Sequence, residues 1–232
     1  MDDSRPGYIS WAIHPGVIMV CCCCPHAKSA SKFFSFFAHY YRKRFDRRGF
    51  EPSQEQLITG IEQVGYQEAS LLEIGSGVGY LHQTLLETGA ASAVGIDLAD
   101  KMLNEATIRA QEHGLAGRTR YVQGDFVTIS ESVEPADVTI LDKVICCYPD
   151  ADALVSRSLA KTRHVYAITI PRDRWFLRFA LRIVVFVLKV TGSDFRPYIH
   201  DPTKIEKCVT GAGFSKRFEA TTPIWLTQVY AR

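Results

Sequence analysis

The chain lacks the features of a membrane-spanning, secreted or strongly nucleic-acid-binding protein. No uncharged apolar run reaches the roughly 18 residues that a membrane span needs. The longest candidate, 175–190, contains Arg178, Arg182 and Lys189, each costing about 2.5–3.5 kcal/mol at mid-membrane. The N-terminus has no basic region of the signal-peptide kind. Because the net charge is only +2, no global basic field attracts nucleic acid.

The cysteines do not form a spaced disulfide or zinc framework. Four of the seven are consecutive, Cys21–Cys24, and the others lie at 146, 147 and 208. Adjacent cysteines rarely form a regular disulfide framework, so we expect a reducing, cytoplasmic setting for this protein. Structural zinc sites space their ligands, and we therefore assign no metal site. The run remains open to three interpretations: no special role, capture of a thiophilic ion, or attachment of a lipid chain.

The length of 232 residues fits one α/β domain with an N-terminal addition. Residues 1–30 have no clean period and are punctuated by glycine and proline, which predicts a flexible arm; Met19 is an alternative start. Aromatic-rich residues 31–48 and then 52–64 predict two helices, a possible lid within 31–64. We assign 65–232 to the main domain.

Apolar strands and helical segments alternate through the main domain. We expect strands at 71–75, 93–97, 119–123, 137–142, 165–170, 214–220 and 224–230. Helices are expected near 79–88, 100–113, 150–160, 174–190 and 202–212. This order predicts a doubly wound α/β fold with a mostly parallel seven-stranded sheet. The last two strands are close in sequence, so a hairpin makes the final strand antiparallel.

A glycine-rich turn follows the first strand. Glu73 precedes glycines at 75, 77 and 79, and Asp97 ends the next strand. A dinucleotide fingerprint starting at Gly75 requires glycine at position 80, where this chain has Tyr80. The pattern E-x-G-x-G-x-G resembles motif I of the class I S-adenosylmethionine (SAM)-dependent methyltransferases. That resemblance implies SAM as cofactor, S-adenosylhomocysteine (SAH) as product and the strand order 3-2-1-4-5-7-6.

Ligands in such folds bind beyond the carboxyl ends of the strands. The expected cofactor contacts are Glu73, Gly75, Ser76, Gly77, Gly79, Asp97, Leu98, Met102, Asp125, Phe126 and Asp142. We expect Asp97 to accept hydrogen bonds from both ribose hydroxyls and Met102 to cover the adenine. By resemblance, Asp125 meets the adenine amino group, beside Phe126, and Asp142 faces the methionine part.

Five of these residues also have a structural interpretation. Asp97 and Asp125 could cap the helices that follow them. Glu73 could orient the glycine loop, which we regard as its main role. Met102 and Asp142 could simply be packed in the core.

The segment after the fourth strand bears on the methyl acceptor. Cys147-Tyr148-Pro149 stands where the magnesium protoporphyrin IX methyltransferases, which this region resembles, have His-Tyr-Pro. A thiol replaces imidazole as a base only if its pKa is depressed, so the porphyrin substrate is in doubt. We name Tyr148 and His200 as candidate catalytic residues, although both could be structural.

These observations predict a methyltransferase for a small, apolar acceptor bearing a carboxylate or a hydroxyl. Arg174, Arg178, Arg182 and Lys189 form a basic stripe that could be solvated, meet an anionic acceptor or touch a membrane surface. One alternative is an RNA methyltransferase that uses basic residues 42–48; the missing base-amine motif argues against it. Another is a non-catalytic SAM-binding regulatory protein. The sequence does not fix the oligomeric state.

Overall fold

The computed structural model describes residues 25–232 of the chain. The alternative start at Met19 and the run Cys21–Cys24 therefore lie outside the described residues. Eight α-helices are present in this part of the chain: α1 (Pro25–Arg48), α2 (Pro52–Val64), α3 (Tyr80–Glu87), α4 (Asp100–Glu112), α5 (Phe126–Ile129), α6 (Ala151–Ala160), α7 (Trp175–Val190) and α8 (Pro202–Gly211). Because α1 begins at Pro25, the last six residues of the predicted arm, 25–30, are helical.

The sheet has the predicted strand order and directions. Its seven strands are β1 (Ser70–Ile74), β2 (Ser92–Asp97), β3 (Thr119–Gln123), β4 (Ala136–Asp142), β5 (Thr162–Pro171), β6 (Ser215–Thr221) and β7 (Trp225–Ala231). They lie in the order β3-β2-β1-β4-β5-β7-β6. Strands β1 to β5 are parallel, and β7 is antiparallel to both β5 and β6. The doubly wound fold class is confirmed.

The parallel pairing brings the carboxyl ends of β1, β2 and β4 to one edge of the sheet. Strand β1 is central, with β2 on one side and β4 on the other. The strand order therefore reverses at β1, and a crevice forms at such a switch point. This edge carries the ends of the strands that terminate in Glu73-Ile74, Asp97 and Asp142.

Pro52 is well suited to the first position of helix α2, because a backbone N–H at that position would have no hydrogen-bond partner within the helix. Glu51 and Gln54 form a reciprocal capping box at the same end. The helix buries Leu57 and Ile61, which join the cluster on one face of the sheet. Thus α2 is fixed against the sheet, and its N-terminus lies near the end of β4, where Gln54 donates to Asp142.

Helix α7 differs from the other long helices because none of its 16 residues is buried. It follows β5 and therefore leaves the sheet at the edge where the crevice lies. No helix among residues 25–232 is long and apolar enough to cross a membrane.

Candidate active site

A cavity of about 330 Å³ opens at the carboxyl edge of the sheet. This volume is within the range of small-molecule sites, roughly 300–1,000 Å³. Its walls contain most of the predicted cofactor residues: Glu73, Gly75, Ser76, Gly77, Asp97, Leu98, Met102 and Asp142. The structure therefore brings together residues from three strand ends that are up to 69 positions apart in the sequence, from Glu73 to Asp142.

The loop after β1 is held close to the neighbouring strand by backbone hydrogen bonds. The N–H groups of Gly75 and Ser76 both donate to the carbonyl of Ile96, at 2.8 and 3.0 Å. Gly75 has φ +68°, and a Cβ there would lie 2.5 Å from Val144 Cγ2. Gly77 has φ +52° and open space where its Cβ would be. Glycine at these positions permits the left-handed backbone and leaves room beside the loop.

Asp97 ties the glycine loop to the start of α4. Its Oδ2 accepts from the Gly77 N–H at 2.8 Å, and its Oδ1 accepts from the Ala99 N–H at 2.8 Å. Burial raises the pKa of Asp97 to about 6, and these two backbone donors oppose the rise. A carboxylate has about four acceptor sites, so this one retains capacity for further donors. Its predicted contact with ribose hydroxyls is compatible with this placement.

Glu73 is buried and directed at the helix that follows the loop. Its Oε2 lies 2.5 Å from His82 Nδ1 and accepts from the His82 N–H at 3.3 Å. His82 Nε2 lies 3.0 Å from the Tyr121 hydroxyl. Burial raises the pKa of Glu73, and the His82 contact opposes this. These contacts are those that a loop-orienting role requires.

Three residues that line the cavity carry a buried polar atom with no hydrogen bond of good geometry among the described residues. These atoms are Asp142 Oδ1, Ser76 Oγ and the Tyr80 hydroxyl oxygen. The second oxygen of Asp142 accepts from the Gln54 amide at 2.9 Å. Burial raises the pKa of Asp142, and the charge of Lys143 opposes the rise. Because buried polar groups are nearly always paired, atoms of this kind retain hydrogen-bonding capacity that a polar ligand can use.

Met102 and Leu98 supply apolar surface next to Asp97. Met102 is buried in the first turn of α4, in a cluster with Val78 and Tyr80. Tyr80 stacks on Phe45 of α1. The side chain that replaces the third glycine of a dinucleotide fingerprint therefore fills space between α1 and the loop.

Asp125 and Phe126 do not line this cavity, although both were predicted to contact the cofactor. Asp125 is the N-cap of α5 and accepts from the Val127 N–H at 3.0 Å. The Tyr148 hydroxyl donates to both of its carboxylate oxygens at 3.1 Å. Phe126 is buried in the main core. The hydrogen bond from the Val127 N–H thus supports the capping interpretation of Asp125. Asp125 is connected to the cavity through Tyr148, whose side chain lines the cavity and donates to Asp125.

His200 lies behind Tyr148 and does not line this cavity. Its Nε2 is 2.9 Å from the Tyr148 carbonyl oxygen, and because a carbonyl only accepts, Nε2 is the donor. The ring stacks on Tyr198 and lines a separate recess with Asp150 and Asp201. This placement gives His200 a positioning contact to Tyr148 and does not bring it to the wall where an acceptor would enter.

The N-terminal helices form a wall of the cavity that the sequence did not predict in detail. The two helices and the turn between them contribute Phe34, Tyr41, Arg44, Phe45, Glu51 and Gln54. The same side of the cavity is completed by residues after β4 and by the start of β7: Lys143, Val144, Cys147, Tyr148 and Trp225. The aromatic density of 31–48 was the available signal. Burial raises the pKa of Tyr41.

Two cations share one carboxylate in this wall. Arg44 pairs with Glu51 at 2.7 Å, and Lys143 contacts the other oxygen of Glu51. The Lys143 ammonium also lies 5.2 Å from the centre of the Trp225 ring, within cation–π range. The trio therefore carries a net charge of about +1 beside apolar surface.

Cys147 does not have the properties of a general base. Its thiol lies 3.8 Å from the Cys146 thiol. The contact with Cys146 and burial both raise the pKa of Cys147 well above the usual thiol value. The residue that stands where the resembling enzymes have histidine is thus held as a neutral thiol at pH 7.

The RNA-methyltransferase alternative finds little support in the basic segment 42–48, whereas the thiophilic-ion interpretation of Cys21–Cys24 concerns residues outside the described part of the chain. Arg42, in the basic segment 42–48, is paired with Glu105 and Glu112, both at 2.8 Å, and Arg44 is paired with Glu51. These pairs reduce the charge available to nucleic acid. Within residues 25–232, no group of three potential metal ligands is present.

Comparison with known proteins gives one family and many similar folds. Residues 71–164 match the family described as "Methyltransferase domain". No curated protein matches the sequence.

Among solved structures, the chain is similar to magnesium protoporphyrin IX methyltransferase from Synechocystis PCC 6803 with bound SAH, at 18% identity and a TM-score of 0.66, covering 87% of this chain and 98% of that one. It is also similar to the 1,6-didemethyltoxoflavin-N1-methyltransferase of Burkholderia thailandensis with bound 1,6-didemethyltoxoflavin and SAH. The sequence identity is 17% and the TM-score 0.64, and the match covers 89% of this chain and 88% of that one. A third similar structure is the O-methyltransferase family 2 protein of Planctomyces limnophilus in complex with apigenin. Here the identity is 16% and the TM-score 0.64, and the match covers 87% of this chain and 61% of that one.

Proposed function

We propose that this enzyme O-methylates a small apolar acceptor. The premise is that residues 71–164 match a methyltransferase domain and that the chain has the fold of SAM-dependent enzymes. The acceptor carries a carboxylate or a hydroxyl. The observation that carries the proposal is the composition of the cavity: one wall has buried carboxylates and a glycine loop, and the other has aromatic rings with Arg44 and Lys143. The two walls suit two different ligands.

The polar and apolar groups of the first wall are complementary to the groups of SAM. Asp97 has acceptor capacity for ribose hydroxyls, and Met102 with Leu98 offers apolar surface for the adenine. Asp142 Oδ1 and Ser76 Oγ lack good partners, and a cationic ammonium suits a buried carboxylate. The open side of Gly77 leaves backbone close to the ligand. When bound, SAM supplies an electrophilic methyl group on its sulfonium.

The second wall fits an apolar molecule with one anionic end. Phe34, Phe45 and Trp225 offer aromatic contact, and the Arg44–Glu51–Lys143 trio offers a net positive charge. Helices α1 and α2 supply much of this wall, and we propose that 31–64 acts as the lid of the acceptor site. A carboxylate would draw Lys143 or Arg44 partly away from Glu51.

The chain's own residues contribute mainly by holding the reactants in line. Alignment of reacting atoms supplies about 7–11 kcal/mol in favourable cases. A carboxylate acceptor is already anionic and needs no base. This agrees with the neutral Cys147 thiol and with the position of His200 behind Tyr148. Tyr148 remains the candidate for orienting the acceptor, since it lines the cavity.

The test is a methylation assay with labelled SAM and matched acceptor pairs. Each apolar carboxylic acid is compared with its amide, and each phenol with its methyl ether. We expect turnover of the acids or phenols only. Arg44→Ala and Lys143→Ala should raise KM for the anionic acceptors with little change in kcat, whereas Arg120→Ala, an exposed cation on β3, serves as the matched control.

The pH profile separates the two acceptor classes. A carboxylate is ionised throughout pH 6–9, so its rate should be nearly flat there, while the rate with a phenol should rise with pH. Methylation of nitrogen in preference to oxygen would overturn the acceptor assignment. SAH binding without turnover of any acceptor would favour the non-catalytic alternative, and salt-sensitive RNA binding with RNA methylation would favour the other.

A further inference from the structure

Helix α7 presents a wide apolar face to solvent. Trp175, Phe179, Ile183, Phe186 and Val190 are 81%, 60%, 51%, 67% and 70% exposed. At about 100° per residue these five side chains fall within roughly 80° of one another, on one side of the helix. Single exposed apolar residues are ordinary, but a contiguous stripe of this kind marks a surface that meets something apolar.

Cations flank this stripe along one side. Arg178, Arg182 and Lys189 lie on the helix next to the edge occupied by Trp175, and the helix contains no acidic residue. Arg178 is paired with Asp173 just before the helix, whereas Arg182 and Lys189 form no ion pair with any residue of 25–232. The half-buried residues of the helix, including Leu181, lie on the side away from the apolar stripe. The exposed surface thus has an apolar centre and a basic border.

We propose that α7 docks this enzyme on a membrane surface that contains anionic lipids. An amphipathic helix of this kind lies in the interface plane, with its apolar face at the acyl boundary and its cations at the level of the phosphates. The charge pattern selects this occupant over a second copy of the chain. An isologous contact between two α7 helices would bring basic residues together with no acid on either helix to compensate.

The position of α7 connects this surface to the cavity. Strand β5, which precedes α7, ends at Pro171, and Pro171 pairs with Trp225 of the cavity wall. Beyond the helix, Phe195 stacks on Phe33 of α1 with ring centroids 4.6 Å apart. A membrane-docked α7 would therefore place the acceptor wall near the lipid surface, where apolar acceptors concentrate. The docking itself stands whether or not the proposed acceptor class is right.

The test uses the full chain and vesicles of phosphatidylcholine, with or without roughly one-third phosphatidylserine. We expect co-sedimentation with the anionic vesicles that weakens at high salt. Tryptophan emission should shift to the blue on binding, and Trp175→Phe should remove most of this shift. Arg182→Glu with Lys189→Glu should weaken binding at least about ten-fold. The matched control, Arg120→Glu with Lys207→Glu, makes the same change in net charge at exposed sites away from α7 and should change binding by less than about two-fold.

The apolar face is tested by Phe179→Ser with Phe186→Ser. This variant should lose at least about ten-fold in vesicle binding with an unchanged Tm and unchanged SAH affinity. Ile108→Ser with Ile224→Ser, two exposed apolar residues elsewhere, is the control. Absence of vesicle binding, or equal effects of both charge variants, would overturn the proposal. So would a fall in Tm of the phenylalanine variant, because the face would then be covered by the chain itself, or an α7-dependent dimer in vesicle-free solution.

Discussion

Binding of SAH should release a proton from Asp97. Burial raises the pKa of this carboxyl group to about 6 in the ligand-free chain. Hydrogen bonds from two ribose hydroxyls favour the charged carboxylate, so they should return the pKa toward its ordinary value near 3.8. Ligand affinity and proton binding are then linked through one side chain.

The size of the effect follows from these two pKa values. At pH 6 about half of the ligand-free molecules carry the proton on Asp97, so SAH binding should release about 0.5 proton there. Affinity should be about ten-fold weaker at pH 5 than at pH 7. Asp97→Asn removes the charge that strengthens two hydrogen bonds, each worth about 1.5–3 kcal/mol, and should weaken SAH binding roughly 100-fold.

The raised pKa of Asp97 also affects folding, because deprotonation of this buried carboxyl group destabilises the ligand-free folded chain. Between the unfolded and the folded pKa of Asp97, the folded chain binds more protons than the unfolded chain, so ionisation of Asp97 lowers the free energy of unfolding as pH rises through about 6. Asp97→Asn removes this cost, but its one amide oxygen can accept from only one of the Gly77 and Ala99 N–H groups, so the two effects on Tm oppose each other. SAH affinity is therefore compared at a temperature at which both proteins are measured to be fully folded.

The assay is isothermal titration calorimetry with SAH in two buffers of different ionisation enthalpy, between pH 5 and pH 7. The slope of the binding enthalpy against the buffer enthalpy gives the number of protons released. Glu73 and Asp142 also line the cavity with raised pKa values. Because they contribute in both proteins, the difference between wild type and Asp97→Asn isolates Asp97. Equal proton release, or equal affinity in the two proteins, would refute the assignment of Asp97 to the ribose.

Four further predictions concern the walls of the cavity. Gly75→Ala should lower the free energy of unfolding by about 1–3 kcal/mol in urea denaturation, because its Cβ would meet Val144, and Val144→Ala in the same chain should recover part of the loss. Gly77→Ala, with open space at the Cβ, should cost less stability and mainly reduce SAH affinity in calorimetry. Glu73→Leu should cost at least about 1–3 kcal/mol, since its histidine partner loses a buried acceptor; unchanged urea stability would show that the contact is unimportant. Cys147 should react with iodoacetamide at pH 7.5 far more slowly than free cysteine, as peptide mass spectrometry would measure, because its pKa is raised.

The alternation of apolar strands and helices was enough to predict the layers of this fold. Local patterns also predicted the antiparallel β6–β7 hairpin, since only three residues, 222–224, separate its strands. The order of the sheet came from the resemblance carried by Glu73 and the three glycines, not from the periodicity. The start of α1 was misplaced because residues 25–30 are either small or polar and have no apolar period, although Pro25 is a favourable first helical residue.

The wall that we assign to the cofactor could be predicted in outline, because most of its residues lie at or just after a strand end and are identified by local sequence. Asp125 shows the limit of this reasoning, since the same local signal also predicts a helix cap, and its carboxylate does cap α5. His200 was placed near the acceptor by its position in the sequence alone. Its actual location depends on how residues 191–201 return from α7 to the sheet, which has no periodic signal.

The acceptor wall could not be predicted for a different reason. Lys143 sits between Glu51, 92 residues earlier, and Trp225, 82 residues later, and neither partner belongs to the matched region 71–164. Its φ of +58° also departs from the preference of an ordinary side chain. A local rule cannot assemble three residues from three distant elements. The residues that we expect to choose the acceptor therefore lie mostly in elements that the methyltransferase pattern does not describe, and the identity of the acceptor must be measured on the whole chain.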